Sequence, residues 1–199
     1  MLKQLLTTTA IVVGAAATAA AQIDASLNLT GIAANNPQVA GEYAVADKFG
    51  VEFGIGTALG TEAYSVTVNG ATTEYEWDRR GVLATLQAKC YFNPGDAIEG
   101  FYGSLYSRFR NVTLKDERIN GEPREGVDDL KINRLAVGAA LGYKAVVSRF
   151  ILEAAAGAGF APVSDNEYLQ RFDGGIGFFD SLDKLDLYAR ASVGFRIVE

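Results

Sequence analysis

The chain has 199 residues, of which 24 are acidic, 18 are Lys or Arg and none is His, so its formal net charge is −6. An acidic chain is a poor partner for nucleic acid, and the missing histidine removes the usual general base of hydrolytic triads. The single cysteine, Cys90, cannot form a disulfide within the chain. These facts argue against a nucleic-acid binder, a His-dependent hydrolase and a disulfide-stabilised scaffold.

The N-terminal segment has the pattern of a secretory signal peptide. Lys3 provides a positive start, an apolar stretch runs from Leu5 to Val13, and positions 19–21 are alanines of the kind that signal peptidases cleave after. We therefore predict a signal peptide over residues 1–21 and a mature chain that begins at Gln22. A transmembrane helix is the alternative, but the apolar stretch is short and no basic flank follows it.

Residues 22–199 contain no Pro/Ser-rich linker, so we expect them to form a single domain. Their apolar residues recur with period two in short segments separated by polar or Gly/Pro/Asn/Asp clusters, which predicts an all-β fold. Asn69-Gly70 is a hairpin signal and predicts an extension between the third and fourth strands. The eight predicted strands are 24–33, 38–46, 49–60, 81–92, 100–112, 132–143, 149–160 and 184–197.

Each predicted strand has one apolar face and one polar face. In the last strand, Leu187 and Val193 lie on the apolar face, and Arg190 lies on the other. The apolar faces of the eight strands carry no charged residue, as lipid exposure requires, because a charge at the bilayer midplane costs about 2–4 kcal/mol. We predict an eight-stranded antiparallel up-and-down transmembrane β-barrel. A soluble β-sandwich that buries the apolar faces between two sheets is the alternative.

The opposite strand faces carry acidic and basic side chains, which a barrel of this size encloses in a narrow lumen. Opposite charges can pair there and satisfy one another's hydrogen bonds. Arg108, Arg110 and Arg134 are expected to face the glutamates of this network, and a polar track for ions is the alternative to simple filling and pairing. The predicted lumen charge network, a structural feature, consists of Glu42, Glu52, Lys89, Arg108, Arg134, Glu153, Asp186, Arg190 and Arg196.

Connection lengths predict which end of the barrel faces the periplasm, because bacterial barrels have short periplasmic turns and longer external loops. The predicted short turns are 47–48, 93–99 and 144–148, and the predicted long loops are 61–80, 113–131 and 161–183. Cys90 lies on the predicted lipid face, where it acts as a small hydrophobe. Outward aromatic residues near the periplasmic ends form a predicted girdle: Phe49, Phe92, Phe101, Tyr143, Phe150 and Phe195.

The signal sequence, the eight amphipathic strands and the terminal strand over 185–197 together resemble the small OmpA/OmpX-like outer-membrane barrels. Tyr91-Phe92, the short turn after it and Gly100-Phe101-Tyr102-Gly103 are similar, more narrowly, to function-unknown (DUF-type) outer-membrane barrel proteins. The resemblance implies a barrel placed by the outer-membrane insertion machinery and no known activity. It supplies no catalytic or ligand-binding residues.

We therefore predict an integral outer-membrane β-barrel domain over residues 22–199 in a Gram-negative bacterium, with a structural or surface role and no enzymatic activity. No cofactor and no metal site are predicted. The expected partners are outer-membrane lipid, lipopolysaccharide and the barrel insertion machinery, with no nucleic acid. Two alternatives stay open: an adhesin-like module whose loops bind an unidentified external ligand, and a narrow channel.

Overall fold

The computed structural model describes residues 22–92, 98–124, 126–166 and 184–198, so the predicted signal peptide lies outside the described residues. No helix in these ranges is long and apolar enough to cross a membrane. The elements in chain order are β1 (Ile23–Asn28), α1 (Leu29–Ala33), β2 (Gln38–Ala46), β3 (Phe49–Ala58), β4 (Thr61–Val68), β5 (Ala71–Tyr91), β6 (Gly100–Ile119), β7 (Glu122–Pro123), β8 (Leu130–Val147), β9 (Phe150–Asn166) and β10 (Leu185–Val198).

Eight of these strands form a closed ring in the order β1, β2, β3, β5, β6, β8, β9 and β10. Every neighbouring pair is antiparallel, and β1 pairs with β10 to close the ring, with Ala25 opposite Phe195. Closure leaves no unpaired strand edge within the ring. The predicted fold class, an eight-stranded antiparallel up-and-down β-barrel, is confirmed.

The two ends of the barrel differ in their connections. At the turn end, which also holds the start of β1 and the end of β10, two-residue turns at 47–48 and 148–149 join neighbouring strands. The first of these turns matches the prediction. The predicted turn at 144–148 is wrong, because β8 continues to Val147 and Lys144 points into the lumen, where carboxylates surround it. Residues 93–97 of the remaining predicted turn lie outside the described residues.

At the opposite, loop end, much of the predicted loop structure is sheet. β4 pairs with the first part of β5, and the hairpin turns at Asn69-Gly70, whose φ angles are 53° and 80°, as the sequence signal predicts. The predicted loops 61–80 and 113–131 are therefore wrong over most of their length. The strand extensions are stabilised by an apolar cluster above the ring, formed by Ala58, Trp77, Val112, Leu114 and Leu130.

The first strand is shorter than the predicted 24–33. It ends at Asn28, whose side-chain Oδ1 accepts a hydrogen bond from the backbone N–H of Gly31 at 3.0 Å. This contact is a helix N-cap, and it starts the single turn of α1. A local side-chain hydrogen bond therefore replaces the end of the predicted strand.

The outer surface of the ring is apolar. Leu105, Leu187 and Phe150 expose 70%, 71% and 69% of their surface. Among the described ring residues, the outward positions from the turn end up to the level of Val82 and Val137 carry no charged side chain. The barrel thus inverts the usual arrangement, with apolar side chains outside and charged ones inside.

Glycines on the inner wall make room for large rings and for close strand packing. A Cβ at Gly142 would lie 2.4 Å from Cζ of Tyr102, which is fully buried. On β9, a Cβ at Gly157 would lie 2.2 Å from the carbonyl oxygen of Ala139, which is backbone and cannot swing away. Glycine at these positions is therefore a packing requirement.

We expect Gly157→Val to destabilise the barrel by about 1–3 kcal/mol or to block folding, because the new side chain meets the neighbouring strand. The control is Ala158→Val, one residue along on the exposed outer face. The measurement is the urea midpoint of the refolded protein, followed by the fluorescence of Trp77, the only tryptophan. Equal midpoints for the two variants would contradict this packing.

Candidate functional site: the charged lumen

All nine residues of the predicted lumen charge network lie on inward positions of the ring. Strand alternation gives each of them the inward phase, and closure of the ring brings them together. Two of them, Arg108 and Arg134 near the loop end, keep side-chain exposures of 26% and 18%. The other seven expose at most 6% of their surface: Glu42, Glu52, Lys89, Glu153, Asp186, Arg190 and Arg196.

The ammonium group of Lys89 lies at the centre of the lumen. Its Nζ is 2.9 Å from Oε2 of Glu42, 2.8 Å from Oε2 of Glu52 and 2.7 Å from Oε1 of Glu153. The three glutamates stand on β2, β3 and β9, so these contacts join strands across the lumen. A lysine ammonium has three N–H donors, and here each has a carboxylate acceptor.

The same three glutamates have the geometry of a cation site. Carboxylate oxygens of Glu42, Glu52 and Glu153 lie within 4.8 Å of one another, a spacing that hard metal ions accept. Lys89 occupies this position with its own ammonium group. The cluster is thus filled by a cation that the chain itself supplies.

The ion pairs continue from this centre toward the turn end. Nζ of Lys144 is 2.7 Å from a carboxylate oxygen of Glu42 and 2.7 Å from one of Asp24. Asp24 in turn accepts a hydrogen bond from Nε of Arg196 at 3.0 Å. Asp24 therefore joins the first and last strands of the ring, where the barrel closes.

On the loop side of Lys89, Arg190 forms an ion pair with Glu52 and lies 3.9 Å from Glu153. It also donates a hydrogen bond to Oγ of Ser26 at 2.9 Å. Four carboxylates thus face four cations. We call this set the central charge cluster; its members are Asp24, Glu42, Glu52, Glu153, Lys89, Lys144, Arg190 and Arg196.

Tyrosine rings fill the space between the ion pairs. The hydroxyl groups of Tyr91 and Tyr102 donate hydrogen bonds to Glu42, at 2.7 Å, and to Glu153. Further toward the loop end two more tyrosine rings stack with centroids 4.8 Å apart. Because these rings are buried with the ion pairs, they fill this section of the lumen. The four rings belong to Tyr91, Tyr102, Tyr106 and Tyr188.

A second layer of charge lies closer to the loop end. The carboxylate of Asp186 forms ion pairs with Arg108 and Arg134, the latter at 3.6 Å, and accepts a hydrogen bond from the Tyr106 hydroxyl at 2.9 Å. Arg110 lies directly opposite Arg134 on the neighbouring strand. We call Arg108, Arg110 and Arg134, together with Asp186, the arginine layer.

The prediction that the three arginines face the glutamates is wrong, because strand register separates them. On β9 the residue opposite Lys144 is Glu153, whereas Arg134 is opposite Ser164. The glutamates therefore meet Lys89, Lys144 and Arg190 in the central charge cluster.

Two members of the central charge cluster, Asp24 and Lys144, are absent from the predicted lumen charge network. Lys144 was assigned to a turn, and Asp24 stands at the very start of the first strand. A signal was present for Lys144: it continues the inward phase of Ala140 and Gly142 on β8. For Asp24, only its position opposite Glu42 on β2 reveals its role.

The six aromatic residues of the predicted girdle all lie on the outer face toward the turn end, with 42–69% of their surface exposed. Two contacts link them in pairs: the rings of Phe101 and Tyr143 lie 4.7 Å apart, and those of Phe150 and Phe195 lie 5.8 Å apart. The outer surface thus has an aromatic rim at one end of the barrel.

The fold and its interior define a small closed β-barrel with an ion-paired lumen, an OmpA-like barrel fold. The chain is similar to the crystal structure of Acinetobacter baumannii CarO, with 16% identity and a TM-score of 0.52 over 89% of this chain and 97% of that one. The crystal structure of A. baumannii CarO2 has 15% identity to this chain and a TM-score of 0.49, over 89% of this chain and 98% of that one. The N-terminal β-barrel domain of Pseudomonas aeruginosa OprF has 17% identity to this chain and a TM-score of 0.45, over 89% of this chain and 97% of that one.

At 16% identity, the similarity to CarO shows the fold and nothing more. No protein-family model matches the chain, and no curated protein matches it. The narrower resemblance to function-unknown outer-membrane barrels therefore stays a prediction.

We expect Lys89→Met to destabilise the barrel by about 3–5 kcal/mol, because it leaves three buried carboxylates without their shared cation. The control is Lys115→Met, which breaks an ion pair with Asp129 whose side chains are 46% and 44% exposed; such exposed pairs contribute less than about 1 kcal/mol. The measurement is the urea dependence of the free energy of unfolding.

Adding Glu153→Gln to Lys89→Met should recover part of the lost stability, because one of the uncompensated charges is removed. Equal urea midpoints for Lys89→Met and Lys115→Met would contradict a central role for Lys89.

Proposed function

We propose that this protein is an integral outer-membrane barrel with a structural or surface role, and that it catalyses no reaction. The observation that carries this proposal is the inverted polarity of the ring, which is apolar outside and charged inside. Soluble monomers rarely expose continuous apolar surface on this scale. A lipid bilayer, in contrast, requires it, and it also requires that charges be kept away from the acyl chains.

The backbone hydrogen bonds between the strands also support a membrane environment. In the hydrocarbon layer no water is present to satisfy N–H and C=O groups, so only helices and closed barrels can cross it. Antiparallel pairing of all eight strands, including β1 with β10, meets this condition. An even number of strands and short turns at one end are typical of bacterial outer-membrane barrels. The partners expected from this location are lipid, lipopolysaccharide and the barrel insertion machinery.

The signal-peptide pattern at the N-terminus supports export from the cytoplasm. We place the turn end in the periplasm, because short turns face that side in bacterial barrels. The aromatic rim then lies at the periplasmic membrane interface, where aromatic side chains are favoured. The strand extensions and the β4–β5 hairpin project outside the cell.

The lumen supports a closed barrel rather than a channel. Eight strands leave an interior just wide enough for side chains to fill it. Here the central charge cluster and the tyrosine rings occupy that interior in buried positions. The carboxylates are held by cations, so none of the glutamates of this cluster is a free acid or base for catalysis. The adhesin-like alternative stays a prediction, and the strand extensions with their apolar cluster are the feature that favours it.

We expect Leu141→Arg to prevent insertion, because it places a charge near the middle of β8, at a position that is 68% exposed on the outer face. Such a charge at the midplane costs about 2–4 kcal/mol. The matched control is Leu59→Arg, the same substitution at a 49% exposed position at the loop end, outside the acyl chains. The measurement is membrane fractionation combined with the heat-modifiable mobility of the folded barrel.

Equal insertion of the two leucine variants would contradict the assigned outer face. A wild-type protein found in the soluble periplasmic fraction, with mobility unchanged by boiling, would overturn the membrane proposal itself.

We expect the purified barrel to give no stepwise conductance in planar bilayers, because buried ion pairs and tyrosines fill its lumen. A general porin added to the same bilayer is the positive control. Reproducible single-channel steps from the purified protein would overturn the closed-lumen proposal in favour of the channel alternative.

A further inference from the structure

The two layers of lumen charge differ in their balance. In the central charge cluster every carboxylate has a cation, and the numbers of the two are equal. In the arginine layer, Asp186 is the carboxylate that the described residues provide, and it forms ion pairs with Arg108 and Arg134 but not with Arg110. Among the described residues, the arginine layer therefore has excess positive charge, in a chain whose overall net charge is −6.

Arg110 is the least compensated of the three arginines. Among the residues that the structure describes, Arg108, Arg134 and Arg79 repel its guanidinium, and Asp186 is the carboxylate that attracts it. The carboxylate of Asp186 is already engaged by Arg108 and Arg134. Within the described ranges Arg110 forms no ion pair, and it lies directly across the strand pair from another arginine. Like charges placed opposite each other in this way destabilise a sheet.

Arg134 also has unused hydrogen-bonding capacity. One of its terminal nitrogens donates to the carbonyl oxygen of Leu185 at 2.6 Å, and the other lies 3.6 Å from Asp186. Its Nε is buried and has no hydrogen-bond partner. A buried N–H without a partner is costly unless a group outside the chain accepts from it. Two neighbouring arginines thus retain donors that nothing in the described chain uses.

The arginine layer is also within reach of solvent. The side chains of Arg108 and Arg134 are 26% and 18% exposed, whereas those of the central charge cluster are at most 6% exposed. A small solute that reaches this level of the lumen would meet these guanidinium groups. It would stop there, because the central charge cluster and the tyrosines fill the lumen below.

We infer that the arginine layer is a binding site for a small oxyanion, a carboxylate or a phosphate, held by Arg110 and Arg134. The planar guanidinium fork matches the two oxygens of such a group and forms charge-assisted hydrogen bonds to it. Arg79, although close, is not part of the site. It donates to the carbonyl oxygen of Ala34 and to Oδ1 of Asn36, both at 3.0 Å, and so holds the β1–β2 connection.

The test is a titration of the refolded barrel in phosphate-free detergent, with ¹⁵N-labelled arginine side chains observed by NMR. Inorganic phosphate and succinate are the two probes, added at constant ionic strength with sodium chloride so that screening does not change. We expect saturable shifts of the Nε–H resonances of Arg110 and Arg134. Arg190 and Arg196, which belong to the central charge cluster, should not shift.

Arg110→Gln should weaken phosphate binding about tenfold or more, the loss expected for one charge-assisted hydrogen bond. The matched control is Arg149→Gln, which makes the same change of charge in the turn at the opposite end and should leave the affinity unchanged. Arg110→Lys, which keeps the charge without the planar fork, should give an intermediate affinity.

The absence of a saturable shift at both arginines of the wild-type protein would overturn the inference, even if the variants fail to fold. Equal weakening by Arg110→Gln and Arg149→Gln would do so as well. Shifts produced only by added lipopolysaccharide, and by neither soluble probe, would show a lipid phosphate outside the lumen instead and would also overturn it.

Discussion

The barrel depends on the ammonium group of Lys89, which three glutamates from three different strands surround. Closure of the ring forces these carboxylates to within 4.8 Å of one another, and without a cation between them they would repel. Lys89 stands on β5 and reaches strands on the far side of the lumen, including β9. The closed ring therefore depends on its central cation. Ion pairs hold the strands together across the lumen, as apolar packing does in the core of a soluble protein.

The apolar exterior and the ion-paired interior both follow from the alternation of side chains along the strands of a closed ring. Apolar side chains must point outward if the surroundings are lipid, so the hydrophobic effect cannot organise the interior. The interior must then be filled by groups that satisfy one another, because a buried charge without a partner is costly. Asp24 shows the result, since it accepts from Lys144 and Arg196 at the same time and joins the first strand to the last.

Alternation alone was enough to predict the eight strands, their facing and the nine lumen residues, because each of these is a local property of the sequence. Pairing was not predictable, since it depends on register between strands distant in the chain. A shift of a few residues decides whether Arg134 meets Glu153 or Ser164. The β4–β5 extension was assigned to a loop on the basis of connection lengths, although Asn69-Gly70 marked its tip correctly.

Access of water explains why the two layers of charge differ. The central charge cluster is almost completely buried, and an unbalanced charge there would have no solvent to stabilise it. The arginine layer opens toward the loop end, so an excess of positive charge is tolerated at that level. Arg110 is the group in this layer whose charge the described chain leaves least compensated. The position where the fold can accommodate an unpaired charge is thus also the position of the proposed anion site.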